Sequence, residues 1–218
     1  MADQIPRVVV LRLPMYARVL SGLVKENRKV VSSQELGARL QVTPAQIRKD
    51  LSYFGKFGKQ GSGYSVKKLL VELRSILGLD REWSVAVIGA GRLGKALIKY
   101  PGFAPQGFNV VGAFDNNPHL VNKKVGKVTV RSIDQLEDSV QELGINVGIV
   151  AVPAPEAQNV VSVLLRCGVK AILNYAPAVV QVPKDVQLRE IDPLLALQSM
   201  TFYLKETRTP RRDRGVRS

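Results

Sequence analysis

Six residues, Gly89-Ala90-Gly91-Arg92-Leu93-Gly94, have the types and spacing that can cradle a phosphate. They follow an apolar run, Val85-Ala86-Val87-Ile88, and precede a helix-like stretch from Lys95 to Tyr100. In the order strand, turn, helix, the first glycine permits a tight turn. The second lets the backbone approach a pyrophosphate. The third lets helix and strand pack closely, and the helix N-terminus faces the anion. An acid, Asp115, ends a second apolar run, Val110 to Phe114, 21 residues beyond Gly94. A carboxylate so placed accepts hydrogen bonds from ribose hydroxyls. It would repel a 2′-phosphate, and the following Asn116-Asn117-Pro118-His119 holds no Arg to receive one. The expected ligand is NAD(H) rather than NADP(H), held by Gly89, Ala90, Gly91, Arg92, Leu93, Gly94 and Asp115. The competing reading is a structural glycine turn in another α/β protein.

A second set of polar residues lies in the first third. The stretch Pro44 to Phe54 reads as a helix with Ile47, Leu51 and Phe54 on one inward stripe. Ala45, Gln46, Arg48, Lys49 and Ser52 are left outside, and Asp50 is the only acid in that helix. Such side chains suit a major groove: Arg or Lys to guanine or phosphate, Gln to adenine, Ser to phosphate. The stretch Gly55 to Tyr64 carries four glycines, Lys56, Lys59 and two aromatics, Phe57 and Tyr64. It reads as a hairpin wing that touches the phosphate backbone. A solvated amphipathic helix followed by a flexible linker is the alternative. The DNA-binding candidates are thus Gln46, Arg48, Lys49, Ser52, Lys56 and Lys59.

Other chemistries are poorly supplied. The one histidine, His119, lies beyond Asp115, on the adenosine side of a bound dinucleotide. No Ser/His/Asp or Cys/His set and no metal-ligand spacing occurs, so no catalytic or metal residue is assigned. A Lys or Tyr acid could still serve a dehydrogenase, which reduces the enzyme reading without removing it. Cys167, the one cysteine, excludes a disulfide framework and reads as a buried structural thiol.

Both sets need positioning elements. Upstream of the basic helix, a helix is expected from Pro14, with Tyr16, Val19, Leu20, Leu23 and Val24 facing a core. Ser32-Ser33-Gln34-Glu35 and Thr43-Pro44-Ala45-Gln46 form two capping boxes with a short connection, the signature of a helix-turn-helix. Ser65 is expected to cap a further helix that ends at Gly78. From Trp83 onward strands (85–88, 110–114, 127–130, 147–152, 170–174) alternate with helices (92–100, 132–143, 155–167). That alternation implies a doubly wound parallel sheet. The turns at Ala151-Val152-Pro153-Ala154-Pro155 and Asn174-Tyr175-Ala176-Pro177 then border the same crevice as the glycine turn. A strand to Ile191 is followed by Asp192-Pro193, an N-cap and first helical residue. The last helix is apolar on nearly every side, so it either serves a subunit interface, exchanged or not, or folds back on its own domain.

The 218 residues carry a net charge of +14, unevenly spread. Residues 1–79 hold 14 Lys/Arg against 5 Asp/Glu, residues 80–206 hold 13 against 12, and residues 207–218 hold 5 against 1. A basic module joined to a neutral one implies a polyanion partner for the first. The expected organisation is a winged-helix DNA-binding domain (1–79), a Rossmann-type NAD(H) domain (80–192), a dimerisation helix (193–206) and a disordered basic tail (207–218). Neither a bilayer-crossing run nor a secretory apolar core is present, so a cytoplasmic location is expected.

The combination resembles the Rex family of redox-sensing transcriptional repressors. It is carried by Arg12-Leu13-Pro14 with Tyr16 and Arg18, Ile47-Arg48-Lys49-Asp50-Leu51-Ser52-Tyr53-Phe54-Gly55, Gly61-Ser62-Gly63-Tyr64, the glycine turn, Tyr100-Pro101-Gly102-Phe103, Ile172-Leu173-Asn174-Tyr175 and Asp192. The resemblance implies a homodimer with exchanged C-terminal helices on a palindromic operator in double-stranded DNA, released by NADH, with NAD+ competing. It implies that Arg48 and Lys49 read the groove, that Lys59 is a wing contact, and that Arg18, Tyr100 and Asp192 form a switch group. Pro193 departs from members that carry an aromatic there. Two other readings stand beside it: a winged-helix regulator sensing another nucleotide, such as a coenzyme A derivative, and a dehydrogenase with a basic appendage.

Overall fold

Apolar residues at helical spacing, Val9, Leu13, Tyr16, Leu20 and Leu23, run without a break through Pro14 and are all buried. Helix α1 accordingly spans Arg7–Lys25 and contains Pro14, instead of starting there as the sequence suggested. Proline removes one donor, which leaves the Val10 carbonyl without its helical partner. Val10 and Pro14 are both exposed, so water can replace that bond.

The structure, a computed structural model, describes residues 5–57 and 63–207. The chain divides into two compact units, Met1–Glu82 and Trp83–Ser218, a boundary three residues later than the one expected at 79. In the first unit α1 is followed by β1 (Val30–Val31), α2 (Ser33–Leu40), α3 (Pro44–Ser52), β2 (Tyr64–Ser65) and α4 (Val66–Ile76). Strands β1 and β2 pair antiparallel. The Ser32 hydroxyl accepts from Glu35 N at 3.0 Å and Thr43 Oγ1 accepts from Gln46 N at 3.2 Å, so both helices carry side-chain caps. The return half of each expected capping box is absent. Glu35 instead pairs with Arg28 and Arg39, and Gln46 turns to Asp50. Ser65 occupies the N-cap of α4 but its side chain makes no cap bond. The α2–α3 turn is tight because Gln41 adopts a left-handed conformation, φ 54°. A Cβ at Gly37 would meet the Val42 carbonyl, so only glycine fits there. Leu13, Tyr16, Leu20, Leu36, Ile47, Leu51, Leu69 and Leu73 form one core. Phe54, Phe57 and Tyr64 pack against it.

The second unit is an α/β doubly wound fold. Its elements are β3 (Trp83–Ile88), α5 (Arg92–Ile98), β4 (Phe108–Asp115), β5 (Lys124–Val125), β6 (Val128–Ser132), α6 (Leu136–Glu142), β7 (Val147–Val150), α7 (Ala154–Arg166), β8 (Ala171–Asn174), β9 (Gln187–Glu190) and α8 (Pro193–Thr207). The sheet order is β5-β6-β4-β3-β7-β8-β9, parallel except for β5, a two-residue edge strand that periodicity did not signal. Along β3, Val85 and Val87 join one core cluster while Ala86 and Ile88 join the other. Both faces are therefore covered, which is why the strand reads as an unbroken apolar run. The strand order reverses at β3 and β7, the place where such sheets open a ligand crevice.

Helix α8 differs from the rest. Leu194, Leu195, Leu197, Met200, Phe202, Tyr203 and Leu204 are all exposed, so the helix is not folded back onto a core of its own chain.

Candidate nucleic-acid interface and nucleotide crevice

Helix α3 presents Ala45, Arg48, Lys49 and Ser52 to solvent, as its periodicity predicted, and holds Gln46 half-buried. The helix is anchored from beneath by Ile47, Leu51 and an ionic cluster that spacing did not reveal. Asp50 is 0% exposed. Its Oδ2 accepts from Arg12 Nε at 2.6 Å and from the Tyr16 hydroxyl at 2.6 Å. Its Oδ1 accepts from Arg12 Nη2 at 2.7 Å and from Gln46 Nε2 at 2.7 Å. Burial alone would raise the Asp50 pKa, but the bonds from Arg12, Tyr16 and Gln46 and the Arg12 charge outweigh it and leave it below the ordinary value. Burial, and then the bond to Asp50, raises the Tyr16 pKa. The carboxylate is thus an ionised hub that ties α1 to α3. Arg12 and Asp50 lie 38 residues apart, and no local pattern links them.

Two other acids of this unit are also paired. Glu26 pairs with Arg39, and Glu35 with Arg28 and Arg39. Among the described residues no acid lines the open groove of about 880 Å³ bordered by Ser33, Pro44, Ala45, Arg48, Lys56 and Tyr64. Arg48 donates to Ser33 Oγ at 3.0 Å, which props its guanidinium at the start of α2. Ser52 donates to the Lys49 carbonyl at 2.7 Å. Lys49 and Lys56 are exposed and make no ion pair with a described residue. A groove of this kind, cationic and without carboxylates, suits a phosphate backbone. Lys59, the expected wing contact, lies outside the described residues.

In the second unit Gly89 and Gly94 have the backbone duties that the sequence suggested. Gly89 has φ 98°, and a Cβ on it would strike the Ala151 carbonyl. A Cβ on Gly94 would overlap the Gly89 carbonyl, so the third glycine permits the α5–β3 contact. A Cβ on Gly91 would meet nothing within 4 Å, so this position faces open space. The same contacts bring the turn after β7, Ala151-Val152, against the glycine turn. Asp115 closes β4 at its carboxyl end. Its Oδ2 accepts from Ala90 N at 2.6 Å and its Oδ1 from Asn117 N at 2.8 Å. The acid therefore splints the glycine turn at the carboxyl end of the sheet. Arg92 and Leu93, in the first turn of α5, are exposed. After β8, Asn174 is buried and holds its loop by accepting from Ala176 N at 3.0 Å and donating to the Ala178 carbonyl at 3.1 Å. His119 is exposed, as expected of a surface residue. Cys167 caps α7 half-buried, and burial raises its thiol pKa.

Each of the three expected switch residues has a local setting of its own. Arg18 is exposed on α1 in the first unit. Tyr100 follows α5, is 54% exposed, and packs edge-on against Phe103 at 5.0 Å between ring centres. A Cβ on Gly102 would run into the Tyr100 ring, so glycine there makes room for it. Asp192 Oδ1 accepts from Leu194 N at 2.8 Å and caps α8.

Two family models match the chain: "CoA binding domain" over residues 80–178 and "Putative DNA-binding protein N-terminus" over residues 4–52. The redox-sensing transcriptional repressor Rex of Roseiflexus sp. (strain RS-1) is 54% identical over 202 residues, covering 93% of this chain and 92% of its own. That of Chloroflexus aurantiacus (strain ATCC 29366 / DSM 635 / J-10-fl) is 51% identical, covering 93% and 96%. The chain belongs to the Rex family. Its fold agrees with solved members. The crystal structure of RSP in complex with β-NAD+ and operator DNA superposes with a TM-score of 0.89 at 40% identity, covering 93% of each chain. The complex of RSP with β-NADH gives 0.85 at 38% identity, covering 94% of this chain and 96% of that one. Among the described residues no group of His, Cys, Asp and Glu could hold a metal ion, and no helix is long and apolar enough to cross a membrane.

Proposed function

We propose that this chain is a redox-sensing repressor that grips a palindromic operator as a homodimer and lets go when NADH enters the crevice, with NAD+ competing for the same seat. The observation that carries this reading is the joining, in one Rex-family chain, of a carboxylate-free cationic groove on α3 to a glycine turn splinted by Asp115. RSP, similar over 93% or more of this chain, is known in complex with operator DNA and with both nicotinamide forms. Gln46, Arg48, Lys49, Ser52, Lys56 and Lys59 supply the operator contacts. Residues Gly89 to Gly94 hold the pyrophosphate and Asp115 the adenosine ribose. The apolar residues that α8 leaves exposed are covered by the second copy, by exchange of this helix. Arg18, Tyr100 and Asp192 re-pair across the dimer when the cofactor binds. The chain works in the cytoplasm, without turnover.

The deciding experiment is an operator titration at fixed salt with NADH and with NAD+, because phosphate contacts make affinity salt-dependent. NADH is expected to weaken binding on the order of 100-fold, which is about 3 kcal/mol of coupling, and DNA must weaken NADH binding by the same factor. Operator affinity indifferent to NADH, with NADH demonstrably bound, overturns the reading.

The coenzyme A-binding description of the second unit's family model favours a second reading, in which the crevice takes a coenzyme A derivative. Asp115 opposes it, since a ribose phosphate near that carboxylate would be repelled. Direct titration of NADH and coenzyme A separates the two.

A further inference from the structure

The carboxamide of Gln46 is the one polar side chain of the α3 surface whose amide end is fixed by a buried charge. Its Nε2 donates to Asp50 Oδ1 at 2.7 Å. Asp50 is wholly buried and ionised, and Arg12 and Tyr16 hold it in place. An ionised carboxylate only accepts hydrogen bonds, so it tolerates the Gln46 nitrogen and rejects the oxygen. The amide therefore cannot flip. Oε1 has no hydrogen-bond partner among the described residues, and Nε2 keeps a second N–H. The side chain is half-exposed beside Ala45 and Lys49, in the first turn of the helix. In a helix-turn-helix the N-terminal residues of the recognition helix meet the base edges.

An acceptor and a donor side by side on a fixed amide match one major-groove edge, the N6 donor and N7 acceptor of adenine. Guanine shows two acceptors there, cytosine a donor, and thymine an acceptor and a methyl group. We propose that Asp50 is a positioning residue for base reading, which orients Gln46 to take one adenine in each half-site. This rests on the operator-binding reading above and adds to it the base read and the group that sets the reader.

The test selects binding sites from a random duplex pool with the full chain, free of nicotinamide, at fixed salt. Wild type is expected to enrich an adenine at one column per half-site, preferred about 10- to 100-fold. Gln46→Met should erase that column and no other. Asp50→Asn, whose amide accepts Gln46 either way round, should weaken the same column while the other columns stay. The double variant Arg12→Met/Asp50→Asn leaves no buried charge unpaired and carries the same expectation should the single variant not melt cooperatively. Replacing the selected adenine by 7-deazaadenine should cost wild type about 10-fold and Gln46→Met nothing. An adenine column that survives Gln46→Met overturns the inference. So does a folded Asp50 variant with undiminished adenine preference, or indifference of wild type to 7-deazaadenine. Wild type that enriches no sequence overturns the operator-binding reading itself, and this inference with it.

Discussion

Arg12→Met tests the ionic hub beneath α3. The substitution keeps side-chain volume and removes both guanidinium bonds to Asp50. The carboxylate stays buried with only Tyr16 and Gln46 to satisfy it. Leaving a buried charge without its partner costs about 3–5 kcal/mol. For a unit of roughly this size each kcal/mol lowers the melting temperature by about 4–8 °C, so a fall of at least about 12 °C is expected. Domains of this length hold only about 0.05–0.15 kcal/mol per residue, so the loss takes a large share of the total. Thermal melting by circular dichroism measures the fall, and hydrogen exchange in α1 and α3 assigns it to the first unit. The double variant Arg12→Met/Asp50→Asn should recover most of the loss, because no buried charge is then stranded. The pH dependence has a fixed sign. The Asp50 pKa is lowered by folding, so its contribution is present above about pH 4 and lost as pH falls below that. In Arg12→Met burial dominates and raises the carboxyl pKa, so the sign reverses: protonation relieves the stranded charge, and the variant regains stability as pH falls toward about 4. Tyr16 has a raised pKa, so its contribution holds below about pH 10 and fades above it. A single variant that melts within about 4 °C of wild type, a shift worth under about 1 kcal/mol, refutes the account. So does a double variant as unstable as the single.

Three further outcomes are expected. Asp115→Asn removes a charge that a 2′-phosphate would face; at about 4 Å and an effective dielectric near 20 that repulsion is about 4 kcal/mol, so the NADH-over-NADPH preference should narrow by at least about 10-fold in fluorescence titrations. Gly94→Ala pushes α5 off β3, because its Cβ overlaps the Gly89 carbonyl; a stability loss of about 1–3 kcal/mol and weakened NADH binding should appear together in melts run with and without ligand. Lys49→Ala should weaken binding and lower the slope of log affinity against log salt by about 1 if its partner is a phosphate, whereas an unchanged slope would assign it to a base.

The parts legible in the sequence are those whose physics is local. A strand, three glycines and a helix start occupy adjacent residues, and each glycine's duty follows from backbone geometry at that point. The alternation that marks α3, with Ile47 and Leu51 inward and Arg48 and Lys49 outward, is equally local. What escaped is non-local or too short to repeat. The bond between Arg12 and Asp50 joins residues 38 apart, so Asp50 read only as the one acid in a basic helix. Asn174 sits in an apolar strand end where no spacing marks it as a loop clamp. Strand β5 has two residues, below any periodicity. Pro14 misled because a proline is commonest at a helix start, yet the core spacing on either side of it overrode that preference.

The magnitudes also decide how a cofactor in the second unit can act on α3. Coupling between two sites is typically 1–3 kcal/mol. Tearing Arg12 from Asp50 costs about 3–5 kcal/mol, more than such coupling can supply. On the proposed reading, NADH therefore cannot release DNA by undoing the α1–α3 cluster; it must turn the first unit as a body. Helix α1 suits that role, since it carries Arg12 and Tyr16 toward α3 and Arg18 to the outside on one uninterrupted rod. Arg12 and Arg18 lie about 9 Å apart along its axis, at about 1.5 Å per residue. Hydrogen exchange in α1 and α3 should then be the same with and without NADH, while exchange near the crevice slows. Marked deprotection of α3 on adding NADH would mean that release proceeds by local melting, and the rigid-body argument would fail.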